Sequence, residues 1–140
     1  ERSDRDSMRV LVTHHPLFAL QVGEEITPAA GRSELALDAI GDAGVDLLLA
    51  GHNHHATVHD ARDLVTRAGS ALVVQAGTAT SVRVREQAQS FNRIDIDGND
   101  VTVTVLGWNG SAFVAEDSKR FRQVDDAWQP LRAEAEEAAH

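Results

Sequence analysis

The amino-acid sequence predicts an α/β protein that begins with a strand–helix–strand unit and continues with β-hairpins. Two apolar runs, residues 9–13 and 45–50, flank a segment whose apolar positions recur at helical spacing. Beyond residue 90, apolar and polar residues alternate on both sides of a glycine turn, as in antiparallel strands with one buried face. The sequence therefore predicts a mixed sheet, because a helical crossover joins parallel strands and a hairpin joins antiparallel ones.

The first half of the chain contains two predicted strands and one predicted helix. The first strand covers residues 8–13, and residues 14–31 form a long loop punctuated by prolines. Ser33 is the predicted N-cap of a helix over residues 34–42, which ends at glycines. The second strand covers residues 45–50 and completes a βαβ unit.

The second half is predicted to contain mainly short strands. Residues 71–74 form a buried strand, and residues 81–85 and 112–115 are candidates for two more. The alternating stretches around Gly98 form a hairpin. Residues 130–140 are rich in alanine and glutamate, which predicts a C-terminal helix.

The composition excludes several classes of protein. A chain of 140 residues with 42% hydrophobic and 25% charged residues is globular and forms one domain. No run of eighteen apolar residues occurs, so no membrane segment is predicted. A net charge of −9 argues against a nucleic-acid patch, which needs lysine and arginine on one face.

The N-terminus and the absence of cysteine bear on the origin of the chain. Residues 1–7 are a charged lead-in without an initiator methionine, which indicates a piece of a longer polypeptide. The absence of cysteine excludes disulfides and thiolate metal sites and favours a cytoplasmic location. A signal segment in a preceding part of the polypeptide would remove that last inference.

Histidines are concentrated at the ends of the two strands of the βαβ unit. The motif His14-His15-Pro16 follows the first strand, and Gly51-His52-Asn53-His54-His55 follows the second. Neutral imidazole is a good ligand for zinc, manganese and iron. A strand end holds its ligands rigidly from one side and leaves the other side open, as a catalytic metal site requires.

At this spacing the two motifs resemble the C-terminal half of calcineurin-like metallophosphoesterases, which carry His-x-Pro and later Gly-His-x-His after strands. The resemblance covers residues 8–108 and implies part of a four-layer α-β-β-α sandwich. It also implies a dinuclear site of Mn, Fe or Zn, whose bound hydroxide hydrolyses phosphomonoesters or phosphodiesters. By this resemblance, His14 and His52 are ligands of the second metal and His54 is a ligand of the first.

The N-terminal motifs of that family, Asp-x-His, Gly-Asp-x-x-Asp and Gly-Asn-His, are absent from the chain. Residues 1–140 are therefore predicted to be the C-terminal portion of one metallophosphoesterase domain without its N-terminal half. That half would supply the bridging carboxylate and the acid, so this portion contains no catalytic residue. The full-length protein is expected to be a metal-dependent phosphoesterase. The isolated chain is expected to be inactive and to hold at most one metal ion weakly.

Three residues beside the predicted ligands are candidates for a contact with the substrate or with a ligand: His15, Asn53 and His55. Pro16 biases the residue before it towards extended backbone, so the ring of His15 is expected to point away from that of His14.

Other interpretations of the sequence stay open. The chain could be a non-catalytic half-domain that binds a partner. Across these interpretations, the expected partners of the chain are the missing N-terminal half, a phosphate-ester substrate, and a second copy that covers an exposed sheet face. A single-metal hydrolase that uses Glu24, Glu25 or Asp60 is a third interpretation, which the spacing of these residues does not support.

Overall fold

Two four-stranded β-sheets lie face to face, and one helix packs on the outer side of the first sheet. The computed structural model describes residues 7–17, 20–22, 25–27, 31–51, 57–60, 69–80 and 89–132. In chain order the elements are β1 (Val10–Thr13), β2 (Leu20–Val22), β3 (Glu25–Thr27), α1 (Ser33–Ala43), β4 (Leu47–Ala50), β5 (Thr57–Asp60), β6 (Leu72–Gln75), β7 (Ser90–Asp97), β8 (Asp100–Trp108), β9 (Phe113–Val124) and β10 (Ala127–Leu131).

The first sheet has the strand order β1-β4-β6-β5. Strands β1, β4 and β6 are parallel, and β5 is antiparallel to β6. The βαβ unit and the mixed sheet predicted from the sequence are therefore confirmed. Strands β1 and β4 both begin two residues later than predicted, and β5 was not predicted.

Helix α1 connects β1 to β4 and lies on the outer side of the first sheet. It begins at Ser33, and the N-cap is Arg32, whose φ of 58° is left-handed and whose side chain makes no capping hydrogen bond. The prediction that Ser33 caps the helix is wrong, because Ser33 already belongs to the helix and an N-cap lies outside it. At the other end, Gly44 has a φ of 64° and its N–H donates to the carbonyl of Gly41, 3.1 Å away.

Two hydrophobic clusters hold the layers together. The first joins the helix to the first sheet and includes Leu17, Leu37, Ile40, Leu48 and Val73. The second lies between the two sheets and includes Leu47, Leu72, Val101, Val103 and Trp128. Alternate residues of β4 and β6 thus face opposite clusters, which explains why these short strands are apolar throughout.

The second sheet is an antiparallel meander with the order β10-β9-β8-β7. The predicted hairpin is confirmed, with Gly98 at a φ of 56° in the turn between β7 and β8. The strand predicted at residues 112–115 belongs to β9, which is twelve residues long and pairs along β8 with a register shift after Val105. Pairing with β8 extends β9 beyond its short apolar start, because each hydrogen bond between the two strands satisfies a backbone N–H group and a backbone C=O group.

The predicted C-terminal helix does not begin at residue 130, because Pro130 and Leu131 belong to strand β10; over residues 133–140 the helix stays a prediction. Pro130 and Leu131 pair with Phe121 and Arg120 of β9, so the chain is extended where the helix was expected to begin. Burial of Trp128 between the sheets outweighs the helix propensity of this segment. Residues 133–140 lie outside the described residues, as do residues 1–6 of the lead-in and the predicted strand at 81–85.

The predicted loop over residues 14–31 contains a small two-stranded sheet. Strands β2 and β3 pair antiparallel, with Leu20 opposite Thr27 and Val22 opposite Glu25. The segment is long enough to fold back on itself, and the pairing satisfies backbone hydrogen bonds that a plain loop would leave to solvent.

A cluster of ionised side chains links β8 to β9. The Asp100 carboxylate accepts hydrogen bonds from Arg122 at 2.7 and 2.8 Å and from Arg120 at 2.6 Å. The hydrogen bond from Arg122, together with that from Arg120, holds the pKa of Asp100 well below its usual range. The same carboxylate raises the pKa of Arg122.

The main layers of the described residues are one helix and two four-stranded sheets. This is the mixed α/β architecture that the sequence predicts, and it matches part of the expected four-layer sandwich. Within the described part of the chain, no helix is long and apolar enough to cross a membrane.

Candidate functional site

The structure brings together the two strand ends that carry the histidine motifs. Strands β1 and β4 are parallel neighbours, with Thr13 opposite Ala50. The next residues are joined by a hydrogen bond, in which the Gly51 N–H donates to the His14 carbonyl at 3.2 Å. His14 therefore lies beside the start of the second motif. His52, Asn53, His54 and His55 lie outside the described residues.

His14 and His15 are both exposed, and their rings contact each other edge to face. The ring centroids are 4.6 Å apart and the ring planes cross at 85°. The expectation that the ring of His15 points away from His14 is therefore wrong. The chain bends after β1, and the Thr13 hydroxyl donates to the His15 carbonyl at 3.0 Å, so the side chains no longer alternate as they would along a strand.

Of the three predicted metal ligands, His14 lies within the residues that the structure describes, and His52 and His54 lie outside them. Within those residues, no three His, Cys, Asp or Glu side chains lie close enough together to hold a metal ion. That His14 shares a metal with His52 and His54 stays a prediction, as do the roles of His15, Asn53 and His55.

A cleft of about 550 Å³ opens between the two sheets beside His14. Its walls are mainly apolar, and both sheets contribute to them. The side chains that define it are Val12, Leu49, Val74, Phe91, Asn92 and Ile94.

The residues of β1 that face the second sheet are left exposed beside the cleft. Val12, Leu49 and Val74 are aligned across β1, β4 and β6, so their side chains share the face that looks towards the second sheet. Exposure rises along this row: Val74 is 2% exposed, Leu49 is partly buried, and Val12 is 70% exposed. Val10, two residues from Val12 on the same face, is 46% exposed. Among the described strands, β1 is an edge strand of the first sheet and β7 is an edge strand of the second.

Polar groups lie at the back of the cleft. The Asn92 side chain donates from Nδ2 to the Gln75 carbonyl at 2.9 Å and so links β7 of one sheet to β6 of the other. The Asn92 Oδ1 atom is buried and has no hydrogen-bond partner among the residues that the structure describes. The buried Gln75 side chain donates to the Gly51 carbonyl at 3.3 Å, which connects this network to the loop that carries the second histidine motif.

Aromatic side chains extend the apolar surface beyond the cleft. Phe91, in the cleft wall, contacts Phe113 with ring centroids 4.9 Å apart. Phe113 contacts Trp108 at 5.2 Å, and both Phe91 and Trp108 are exposed. Apolar surface thus continues from Val12 across the cleft to the end of the second sheet.

Sequence reasoning predicted an exposed sheet face but did not identify the residues that form it. The signal was present in β1, where Val10, Leu11 and Val12 are consecutive apolar residues and so predict burial on both faces. Only the face of Leu11 packs against the helix-side cluster.

The comparisons with known proteins give structural similarity only. The sequence matches no protein-family model and no curated protein. Among solved structures, the chain is similar to Vps29 of Entamoeba histolytica in complex with Zn²⁺, with 19% identity, a TM-score of 0.43, and coverage of 70% of this chain and 57% of that chain. It is also similar to vacuolar protein sorting 29 of Cryptosporidium parvum, with 21% identity, a TM-score of 0.46, and coverage of 75% and 56%. For Vps29 of Chaetomium thermophilum the values are 17%, 0.45, 66% and 50%.

These similarities concern the fold alone, which is a mixed α/β arrangement with two main sheets. The chain spans between 50% and 57% of the length of these three structures. They are structures of Vps29, and none of the three is named as a phosphoesterase. The prediction that the full-length protein is a phosphoesterase is therefore wrong.

Proposed function

We propose that this chain is a non-catalytic interaction module that binds another polypeptide through one apolar surface. This surface, here termed the β1 face, consists of Val10, Val12, the inter-sheet cleft and Phe91. The observation that carries the proposal is the exposure of Val12, an apolar residue in the same row as the buried core residue Val74.

An exposed apolar sheet face at a free edge favours association. Large exposed apolar patches mark interaction sites in soluble proteins, whereas single exposed apolar residues are ordinary. Val10 and Val12 are adjacent on one face, and they are continuous with the cleft. An edge strand also presents backbone N–H and C=O groups to a partner.

The energetic gain from covering the β1 face is substantial for a module of this size. Complete burial of a valine side chain stabilises by about 1.5 kcal/mol or more, and Val12 has most of that burial still to gain. An N-terminal portion of the same domain and a second copy of the chain are partners that the sequence predicts. Either would gain this energy by covering Val10 and Val12.

The proposal predicts that Val12→Lys removes partner binding while a matched change elsewhere does not. Leu35 is the control, because it is apolar and 68% exposed, like Val12 at 70%, but lies on the helix. Wild-type chain, Val12→Lys and Leu35→Lys would each be immobilised and exposed to native cell extract. We expect a protein that wild type and Leu35→Lys retain equally and that Val12→Lys retains at least about tenfold less, because a buried unpaired charge opposes association.

Circular dichroism of the two variants controls for folding, which neither surface change should affect. A partner retained equally by all three proteins would show that binding uses another surface. Equal loss in both variants would show a general effect of added charge.

A further inference from the structure

We propose that two copies of this chain associate by pairing their β7 strands antiparallel about a two-fold axis at Ile94, so that their second sheets form one continuous sheet. This contact lies at the edge of the second sheet and goes beyond the proposed function, which concerns the apolar surface at β1. The free edge of β7, the direction of its backbone groups and the order of its charges support it.

Strand β7 is the longest edge strand of the two main sheets. Within the described part of the chain, it pairs with β8 on one side and with no strand on the other. It has eight residues, whereas β1 and β5 have four each and β10 has five, one of which is Pro130 and lacks an N–H group. A long edge strand without proline offers the most backbone groups to a second strand.

The backbone groups of alternate residues of β7 point to this free edge. The Gln89 carbonyl accepts a hydrogen bond from β8 at 2.8 Å, whereas the Ser90 N–H donates at 2.9 Å to the carbonyl of Thr78, which does not belong to β8. Along an antiparallel strand the direction of these groups alternates from residue to residue. The residues of β7 whose backbone groups are directed to the free edge are therefore Asn92, Ile94 and Ile96.

Two opposite charges flank Ile94 on β7. Arg93 and Asp95 share one face of the strand, and both side chains are more than half exposed. The Arg93 Nε atom donates to the Asp95 carboxylate at 3.0 Å. A positive and a negative charge two residues apart complement the same two charges on a strand that runs in the opposite direction.

A two-fold axis at Ile94 satisfies both the backbone groups and the charges. It makes Ile94 of the two copies a hydrogen-bonded pair and places Arg93 of each copy opposite Asp95 of the other. These charged residues occupy non-hydrogen-bonded pairs, in which side chains approach most closely. An axis at Arg93 would place Arg93 opposite itself, and an axis at Asp95 would place Asp95 opposite itself. Like charges directly opposite each other are destabilising, so the charges disfavour both neighbouring registers.

This complementarity favours a second copy over another polypeptide, an N-terminal portion of the domain included, because the order of charges on β7 matches that of β7 itself. Pairing also covers part of Ile96, which is 49% exposed. The net charge of −9 opposes association at long range. Salt at physiological ionic strength screens such repulsion beyond about 8 Å, whereas Arg93 and Asp95 meet in contact.

Charge reversal tests this pairing by sedimentation equilibrium of the chain. Wild type is expected to form a dimer, and Arg93→Asp and Asp95→Arg should each weaken it at least about tenfold, because like charges then lie opposite each other. An equimolar mixture of the two variants should dimerise as wild type does. In the mixed dimer both charges of one copy are negative and both of the other are positive, so opposite charges again face each other.

Lys119→Asp is the matched control, because it changes the net charge as Arg93→Asp does and removes a similarly exposed pair with Asp117, but lies on β9 inside the sheet. It should leave the dimer unchanged, and circular dichroism checks that every variant is folded. A wild-type chain that stays monomeric at about 100 μM would overturn the inference. So would equal loss in Arg93→Asp and Lys119→Asp, or a mixture of the two β7 variants that does not dimerise. A dimer lost in Val12→Lys and kept in Arg93→Asp would place the second copy on the β1 face, which overturns the inference and leaves the proposed function standing.

Discussion

Trp128→Ala is expected to lower the free energy of unfolding by about 3–5 kcal/mol, the usual cost of removing a large aromatic side chain from a core. Trp128 is 4% exposed and packs between the two sheets. Its indole Nε1 donates to the Asp46 carbonyl at 3.2 Å, and its backbone N–H donates to the Ser70 hydroxyl at 3.2 Å. The substitution would leave a cavity and remove a hydrogen bond between the sheets.

The chain offers a matched control for this measurement in its second tryptophan. Trp108 lies at the end of β8 and is 37% exposed, so Trp108→Ala should cost clearly less. Urea denaturation followed by circular dichroism measures both variants without dependence on tryptophan fluorescence. Similar losses for the two variants would contradict the packing of β10 against the first sheet.

Asp46→Ala is expected to lower the free energy of unfolding by about 1–3 kcal/mol, because it leaves two partly buried donors without their acceptor. The Asp46 carboxylate is buried at the start of β4. It accepts from the Arg9 backbone N–H at 2.8 Å and from the Gln123 side chain at 3.3 Å. One residue thus connects the chain before β1 to the far end of β9.

Asp95→Ala is the control for this second substitution. Asp95 pairs with Arg93 at 3.0 Å, but both side chains are more than half exposed, and such pairs contribute about 0–1 kcal/mol. Asp46→Asn should cost less than Asp46→Ala, since the amide keeps one acceptor oxygen. Equal denaturation midpoints for Asp46→Ala and Asp95→Ala would show that the Asp46 hydrogen bonds do not connect the two sheets in solution.

The sequence predicted the parts of the fold that follow from the local order of apolar and polar residues. The βαβ unit follows from two apolar runs and a helical repeat, and the hairpin follows from alternation around Gly98. Strand β10 could not be predicted in this way, because its segment is extended only through pairing with β9 and burial of Trp128. The N-cap of the helix was also predicted wrongly. The N-cap is Arg32, which adopts a left-handed backbone conformation that is usual for glycine and not for arginine.

The candidate site was predictable only in part. The histidine motifs identified the ends of β1 and β4, and the structure places His14 and Gly51 together there. The β1 face depends on which residues of the first sheet the second sheet covers, and this is a tertiary property. Three consecutive apolar residues such as those of β1 are typical of a strand that is buried on both faces, but the structure covers the face of Leu11 and leaves Val10 and Val12 exposed.

The most direct test of the interaction module is amide hydrogen exchange on this chain, measured alone and with its captured partner. The account predicts slower exchange on binding in Val10–Thr13 and in the part of β7 that lines the cleft, with no change in the helix Ser33–Ala43. Protection confined to the helix or to strands β9 and β10, with β1 unchanged, would contradict it.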